Sequence, residues 1–334
     1  MNRPRGARLA SVGSISLGML LLATCAPAAH DAVTDPAQAG PDFAVQGEYR
    51  GQWDAGEGLR DAGAQVITLG NVTFQRVLYA GGLPGDGWKR GDPLQRADGQ
   101  SAGDQTKFSA PTWSAVAADG RLTVTGADGS PRGQLTRLER RSPTLGAAPP
   151  PGARVLFDGT AADAFPGAQV TADGLLLAGC ESQARFGDHT LHLEFRTPLK
   201  STARGQARGN SGVYLQSRYE IQILDSFGLE GQNNECGGIY AVAAPLVNMC
   251  LPPLAWQTYD IDFKAARYDE RGQKVTNARV TVRHNGVLIH DDLELPGATP
   301  GKRGEGPQGD ALYLQGHGNP VVFRNIWVVE KQGA

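Results

Sequence analysis

Short stretches of alternating apolar and polar residues, each closed by glycine or aspartate, recur from residue 43 almost to the end of the chain. No segment sustains the period of 3.6 residues that marks an amphipathic helix. With 45 glycines and 21 prolines among 334 residues, the chain is rich in residues suited to tight turns. The pattern predicts an all-β protein, and the length predicts two domains because it exceeds what a single core usually supports.

The charge balance excludes several classes of partner. The chain carries 32 basic and 34 acidic side chains, for a formal net charge of -2. Such a chain has no strong electrostatic field that would attract it to nucleic acid or to an anionic membrane surface. A neutral small molecule is the more natural ligand.

The N-terminus has the pattern of an export signal. Three arginines precede an apolar stretch, Leu9 to Leu22, that is too short to span a bilayer. The stretch runs into Cys25 in a setting similar to a bacterial lipobox, although Thr24 is unusual just before the cysteine. We predict a signal peptide over residues 1–25 and acylation of Cys25, which would tether the protein in the periplasm or at the outer membrane. Plain secretion is the alternative.

The remaining chain divides by composition. Residues 26–42 are small and polar and predict a tether, and residues 43–141 predict a β-rich N-terminal domain. Residues 142–153 contain a run of prolines and small residues that predicts a stiff linker. Residues 154–331 contain many regularly spaced strand patterns, which are typical of a β-sandwich.

Three cysteines follow Cys25. In an oxidising compartment Cys236 and Cys250 are close enough in sequence to form a disulfide, which leaves Cys180 unpaired. Zinc-site spacings of cysteine and histidine are missing from the sequence.

Three strand patterns place polar groups on one side. In SGVYLQS, YEIQILDS and ALYLQGHG the apolar residues alternate with tyrosine, glutamine, glutamate and histidine. The polar side chains are Tyr214 and Gln216, Glu220 and Gln222, and Tyr313, Gln315 and His317. If these strands are neighbours, they form a solvated face of aromatic and hydrogen-bonding groups that suits a sugar.

Several long motifs carry a resemblance to a known family. LFDGT, RGNSGVYLQSRYEIQILDSFG, ECGGIY, WQTYDIDF, VRHNGVLIH and LQGHGNPVVFRNIWV occur in this order. They resemble bacterial 3-keto-disaccharide hydrolases, also described as 3-keto-glucoside 1,2-lyases and hydratases, over Arg154 to Lys331. The resemblance implies a concanavalin A-like jelly roll, preceded here by a smaller β-rich domain similar to one found ahead of some members.

The family also implies a reaction. A ketone at C3 of the sugar acidifies the C2 proton, so that a base can remove it and the enolate can expel the glycosidic oxygen from C1. Water then adds back. The substrate would be a 3-keto glycoside or disaccharide, supplied by a separate sugar 3-dehydrogenase.

The reaction needs a base, a group that stabilises the enolate and an acid for the leaving oxygen. The catalytic candidates are Glu220, Asp225 and His317 as acid or base, and Arg324 and Tyr240 as enolate stabilisers. The substrate-binding candidates are Asn210, Tyr214, Gln216, Gln222 and Gln315. A divalent cation on Glu220, Asp225 or His317 stays open. Simpler roles are a solvated charge for Glu220, a turn cap for Asp225 and a structural ion pair for Arg324.

Two other functions are compatible with the same residues. A non-catalytic surface carbohydrate-binding module would use the polar face without proton transfer. A conventional glycosidase would need two carboxylates beside the bond. Gln222 stands where similar strands of sandwich glucanases carry an acid, which disfavours this second alternative.

Overall fold

The computed structural model describes Met1 and residues 32–331. The signal peptide predicted over 1–25 and its acylation site Cys25 therefore lie outside the described residues, apart from Met1. None of the helices in the described part of the chain has the length and apolar character needed to cross a membrane.

An eight-stranded barrel forms the N-terminal unit. In chain order its strands are β1 (Gly47–Asp54), β2 (Leu59–Gly70), β3 (Thr73–Ala80), β4 (Leu83–Pro84), β5 (Gly87–Trp88), β6 (Leu94–Ala102), β7 (Gln105–Ala110), β8 (Trp113–Ala118), β9 (Arg121–Gly126) and β10 (Pro131–Leu138). Strands β4 and β5 pair with each other, and the other eight close in the order β1-β10-β9-β8-β7-β6-β3-β2. Closure leaves no strand edge unpaired.

Both faces of the β3 side of the barrel are buried. Phe74 and Leu78 point into the barrel core, whereas Val77 and Tyr79 belong to the core of the C-terminal unit. Alternation along a strand places these pairs on opposite faces. The barrel is therefore packed against the next unit through β3 rather than suspended from it.

The C-terminal unit is a sandwich of two antiparallel sheets. Its strands are β11 (Arg154–Phe157), β12 (Leu176–Leu177), β13 (Cys180–Phe186), β14 (His189–Arg196), β15 (Ser211–Leu215), β16 (Tyr219–Ile223), β17 (Gln257–Lys264), β18 (Arg267–Tyr268), β19 (Lys274–Thr276), β20 (Ala278–His284), β21 (Val287–Leu295), β22 (Asp310–Leu314) and β23 (Val322–Glu330). The larger sheet has the order β11-β23-β14-β17-β20-β21, with β12 beside β23. The smaller sheet has the order β13-β22-β15-β16.

Apolar side chains from both sheets fill the space between them. Leu191 and Leu193 of β14 and Val213 and Ile221 of the smaller sheet are at most 1% exposed. Helical structure in the described residues is limited to α1 (Pro41–Val45) and two single 3-10 turns at Pro36–Gln38 and Gly205–Ala207. The prediction of an all-β, jelly-roll-like protein is confirmed.

Residues 142–153, predicted as a stiff spacer, pack against the outer face of the larger sheet. Thr144 Oγ1 donates a hydrogen bond to Asp260 Oδ2 over 2.7 Å, and the Gly146 amide donates one to Glu194 Oε1 over 2.5 Å. The Ala147 carbonyl accepts a hydrogen bond from Asn325 Nδ2 over 3.0 Å. This segment buries polar groups of the sheet, which a solvated linker would not do.

The predicted tether is also partly ordered against the protein. Within residues 26–42, Val33 forms a β-bridge with Leu199, and the turn at Pro36–Gln38 is capped by Asp35. The part of this segment before residue 32 lies outside the described residues.

The disulfide predicted between Cys236 and Cys250 is not present, and both residues are buried thiols. Cys236 Sγ lies 3.3 Å from the Tyr259 hydroxyl. Cys250 Sγ donates to the Leu224 carbonyl over 3.5 Å. The two thiols also lie within hydrogen-bonding reach of each other.

A buried ion pair of the sandwich contacts the barrel. Arg208 Nε lies 2.6 Å from Asp225 Oδ2, and both side chains are almost fully buried. The same guanidinium donates to the Thr68 carbonyl of β2 over 3.3 Å. Asp225, which we predicted as a catalytic acid or base, is therefore committed to an ion pair at the junction of the two units.

Removal of one member of this pair should destabilise the protein. Asp225→Ala or Arg208→Met leaves a buried charge without its partner, which costs about 3–5 kcal/mol. We expect urea denaturation to show this loss for either single variant and a smaller loss for the double variant. A stable but inactive Asp225→Asn protein would instead indicate that Asp225 has a catalytic role.

The stability that Glu194 contributes by binding residues 142–153 should depend on pH. Burial would raise the pKa of its carboxyl, but hydrogen bonds from neighbouring side chains and from the Gly146 amide outweigh burial and lower the pKa to about 2. A lowered folded-state pKa contributes stability above pH ~4.5 that is lost as the pH falls toward 2. Acid unfolding of wild type and Glu194→Gln, followed by tryptophan fluorescence, should show a shallower pH dependence for the variant. Equal slopes would contradict this role.

Candidate active site

The strand order of the smaller sheet brings the three polar strand patterns together. Tyr214 of β15 lies opposite Glu220 of β16 on one side and Tyr313 of β22 on the other. Glu181 of β13 lies opposite Tyr313. Glu181, Tyr313, Tyr214 and Glu220 thus form a line across all four strands, which we call the polar row. The adjacency that sequence alone left as an assumption is present.

A cleft of about 210 Å³ opens at the Glu220 end of the polar row. Seven residues predicted for catalysis or binding line it: Asn210, Tyr214, Glu220, Gln222, Tyr240, Gln315 and His317. Gln206, Pro300 and Gly301, which sequence analysis did not identify, complete the lining.

Glu220 is the most perturbed group of the cleft. Only 2% of the residue is exposed, although the alternation of its strand predicted a solvated face. Burial raises the pKa of its carboxyl to about 7, against a smaller lowering effect of the Tyr214 hydroxyl. This hydroxyl donates to Glu220 Oε2 over 2.7 Å, while Oε1 has no hydrogen-bond partner among the described residues. One carboxyl oxygen is therefore held and the other is free to accept a proton.

Amide side chains surround the carboxyl. Gln206 Oε1 accepts from Asn210 Nδ2 over 2.8 Å and from Gln222 Nε2 over 3.1 Å. Gln315 Nε2 donates to the Tyr214 hydroxyl over 3.2 Å. Within the described part of the chain, the oxygens Asn210 Oδ1 and Gln315 Oε1 are buried without a partner. Buried acceptors without partners are rare, and hydroxyl groups of a ligand would satisfy them.

A long connection covers the cleft. Residues 296–309 link β21 to β22, and we call this segment the strap. Thr299 fastens it to β16, since its Oγ1 accepts a hydrogen bond from the Glu220 amide over 2.9 Å. Gly301 lies against the Tyr214 ring with φ +142°, and a Cβ at this position would overlap the Tyr214 hydroxyl. The strap lies over the cleft that Glu220 lines. Its cluster of glycine and proline was the only sequence signal for it.

Three predicted site residues lie away from this cleft. Asp225 pairs with Arg208 as described above. Arg324 lies on the outer face of the larger sheet, where its Nε is 2.6 Å from Glu194 Oε2 and its guanidinium stacks on Trp256. Gln216 sits in the β15–β16 turn with φ 53°, and its Nε2 donates to the Phe186 carbonyl over 2.9 Å. The turn removes Gln216 from the strand periodicity that predicted it.

The proposed cation ligands do not converge. Glu220 and His317 line the cleft, but Asp225 is held by Arg208. Across residues 32–331, no three histidine, cysteine, aspartate or glutamate side chains are grouped as a metal site.

Among the described residues, Glu220 is the one carboxylate that lines the cleft. The next carboxylate along the polar row, Glu181, is three strand spacings away, which is roughly 14 Å. Conventional glycosidases place their two carboxyl groups about 5–9.5 Å apart. The cleft is built around a single carboxyl group.

The C-terminal unit is similar to known proteins. The family model of the 3-keto-alpha-glucoside-1,2-lyase-like domain matches residues 152–329. A crystal structure from Parabacteroides distasonis, described as a candidate glycosyl hydrolase, is 32% identical with a TM-score of 0.51, covering 55% of this chain and 85% of its own. A second such structure from that organism is 17% identical with a TM-score of 0.40, covering 54% of this chain and 94% of its own.

Curated proteins gave no match. The family model spans more than half of the chain and includes every residue that lines the cleft. The protein therefore belongs to the family of 3-keto-alpha-glucoside-1,2-lyase-like domains.

Proposed function

We propose that this protein cleaves the glycosidic bond of 3-keto-glucosides or 3-keto-disaccharides by elimination followed by hydration. Family membership supports an action on glycosides. The observation that carries the proposal is the lone, buried carboxyl of Glu220, with a pKa raised to about 7 and one oxygen that has no hydrogen-bond partner among the described residues. A general base works best when its pKa is near the working pH.

Because the C3 ketone accepts the electron pair from C2, one carboxyl group is sufficient to start cleavage. Glu220 Oε1 takes the proton from C2, and the electron pair of that bond passes into an enolate on the C3 carbonyl. As the enolate collapses, a double bond forms between C1 and C2, the bond from C1 to the glycosidic oxygen breaks, and that oxygen takes up a proton. Water then adds its hydroxyl at C1, and C2 regains a proton. The sum is hydrolysis, with no change of oxidation state.

The other groups of the cleft stabilise the enolate, protonate the leaving oxygen and bind the sugar hydroxyls. Tyr240 and His317 carry the donors that stabilise the enolate oxygen and protonate the leaving oxygen. The amides of Asn210, Gln222 and Gln315 hold the sugar hydroxyls. The cleft volume of about 210 Å³ is below the roughly 300–1,000 Å³ of pockets for larger ligands, so it suits one sugar ring.

A carbohydrate-binding module would have no use for a carboxyl with a raised pKa. Burial of an acid costs free energy, and a binding site can use a neutral amide in its place. A conventional glycosidase is disfavoured because Glu220 has no second carboxyl within reach in the described cleft.

The substrate must come from an oxidation at C3, so a sugar 3-dehydrogenase would act upstream. We also propose export and acylation at Cys25. Metabolic labelling with palmitate should modify the full-length protein and spare Cys25→Ser, and no labelling of the wild type would contradict anchoring.

Replacement of the base should abolish cleavage. We expect Glu220→Gln to lower kcat/KM for a 3-keto-glucoside at least about 100-fold, as for loss of a general base, while binding and thermal stability are retained. The matched control is Glu294→Gln, an exposed glutamate of β21 outside the cleft. The unoxidised glucoside should be inert with every protein. Cleavage by Glu220→Gln at the wild-type rate would overturn the proposal.

The pH profile should report the raised pKa. A base must be deprotonated, so kcat/KM should rise with pH around an apparent pKa near 7. Tyr214→Phe removes a hydrogen bond that favours the carboxylate and should move the midpoint upward. A raised folded-state pKa also means that wild type loses stability relative to Glu220→Gln as the pH rises from ~4.5 to ~7. A midpoint near 4.5 would show an ordinary, solvated glutamate instead.

A further inference from the structure

An arginine lies inside the barrel of the N-terminal unit. Arg76 of β3 is two residues from Phe74 and from Leu78, which both belong to the barrel core, so alternation along the strand points its side chain into the barrel. The residue is 0% exposed. Its guanidinium lies over the ring of Trp113 of β8, with 4.0 Å between the Cζ atom and the ring centre. A cationic group therefore occupies the interior of a closed barrel.

The barrel offers this guanidinium no acceptor. Within residues 32–331, Arg76 Nε, Nη1 and Nη2 are all buried without a hydrogen-bond partner. Burial lowers the pKa of Arg76 to about 10, and no neighbouring charge opposes that effect. The indole nitrogen of Trp53, another residue of the barrel core, is also buried without a partner. The unpaired polar groups of the barrel interior are thus all hydrogen-bond donors.

The carboxylates of the barrel strands lie on the outer face. Glu48 of β1 is buried, but it precedes Tyr49 of the barrel core and therefore points the other way. Its carboxylate is held by Arg140, whose Nε lies 2.6 Å from Glu48 Oε2. The other carboxylates of the described barrel strands also follow or precede a core residue and are exposed or half-buried: Asp54, Asp61 and Asp98. The charge of Arg76 is therefore not balanced from within the barrel.

A buried charge without a counter-charge is costly. The free energy lost when an ion leaves water is larger than the gain from one cation–π contact with a tryptophan ring. Water molecules satisfy N–H groups but leave the charge uncompensated. A small anion supplies the acceptors and the opposite charge together, and hydrogen bonds between two charged groups are the stronger kind.

The barrel has small side chains around Arg76 and an end close to solvent. Alanines alternate with the aromatic residues of its core: Ala62, Ala64, Ala97, Ala115 and Ala117. Ala97 is the residue of β6 that pairs with Arg76. An eight-stranded barrel can be filled by side chains or can hold one small ligand. Trp113 is 7% exposed and follows the exposed turn residues Pro111 and Thr112, so the stacked guanidinium lies near an end of the barrel.

We propose that the barrel binds one small monovalent anion, a halide or nitrate, at the Arg76 guanidinium. Trp113 covers one face of the guanidinium, and the N–H groups along its edge hold the anion. Phe74 and Phe108 occupy much of the same core, so a bulky organic anion is excluded. The site is separate from the cleft at Glu220 and does not depend on the proposed reaction.

Anion-dependent stability tests this site. Thermal unfolding is followed in increasing sodium bromide at constant ionic strength, with sodium gluconate as the bulky balancing anion. We expect the Tm of wild type to rise by roughly 5 °C at a hundredfold excess of bromide over its Kd. Arg76→Met should not respond to bromide. In gluconate alone it should unfold at a higher temperature than wild type, because it lacks the uncompensated charge.

The matched control is Arg121→Met. Arg121 is an exposed arginine on the outer face of β9, so its replacement should leave the response to bromide as in wild type. Equal responses of wild type and Arg76→Met would show a general salt effect and overturn the anion site. No response of wild type would overturn it as well.

A measurement on wild type alone covers the case in which Arg76→Met does not fold. Crystals grown in bromide should show an anomalous peak inside the barrel, in contact with the Arg76 guanidinium. A map without a peak at this position would mean that Trp113 and water accommodate the charge, and the proposal would be wrong.

Discussion

The hydrogen bond from the Tyr214 hydroxyl to Glu220 governs the chemistry of the site. Tyr214 and Glu220 face each other across neighbouring strands, and the strap covers both. Burial raises the pKa of the carboxyl, the hydroxyl fixes one of its oxygens, and the other oxygen has no hydrogen-bond partner among the described residues. Gly301 is what allows the strap to come this close, because any larger residue would displace the Tyr214 ring. The reactivity of Glu220 therefore depends on a loop that is distant in sequence.

The rest of the molecule supports this sheet from behind and from the side. The larger sheet supplies the apolar surface against which the smaller one packs, and its outer face is covered in turn by residues 142–153. The barrel packs against the core through Val77 and Tyr79. It also accepts a hydrogen bond at the Thr68 carbonyl from Arg208, which pairs with Asp225 just after β16. Polar side chains outside the cleft thus hold the units together.

Much of the site could be predicted because β-strand alternation is a local property. Glu220, Gln222 and Gln315 were placed on one face from their strands alone. The errors arose where local periodicity ends. Gln216 belongs to a turn that lacks the usual glycine. Asp225 and Arg324 form ion pairs with residues that are distant in sequence. The burial of Glu220, and hence its raised pKa, depends on contacts between distant segments that no local pattern encodes.

The central claim is that cleavage begins with removal of the proton at C2 of the keto sugar. Its most direct test is the reaction of a 3-keto-glucoside deuterated at C2, with a sample lacking enzyme to measure spontaneous exchange. Elimination predicts slower cleavage of the deuterated substrate, or its enzyme-dependent exchange with solvent, and solvent hydrogen at C2 of the released 3-keto sugar. Cleavage at an unchanged rate with the deuterium fully retained at C2 would contradict elimination and would indicate direct displacement at C1.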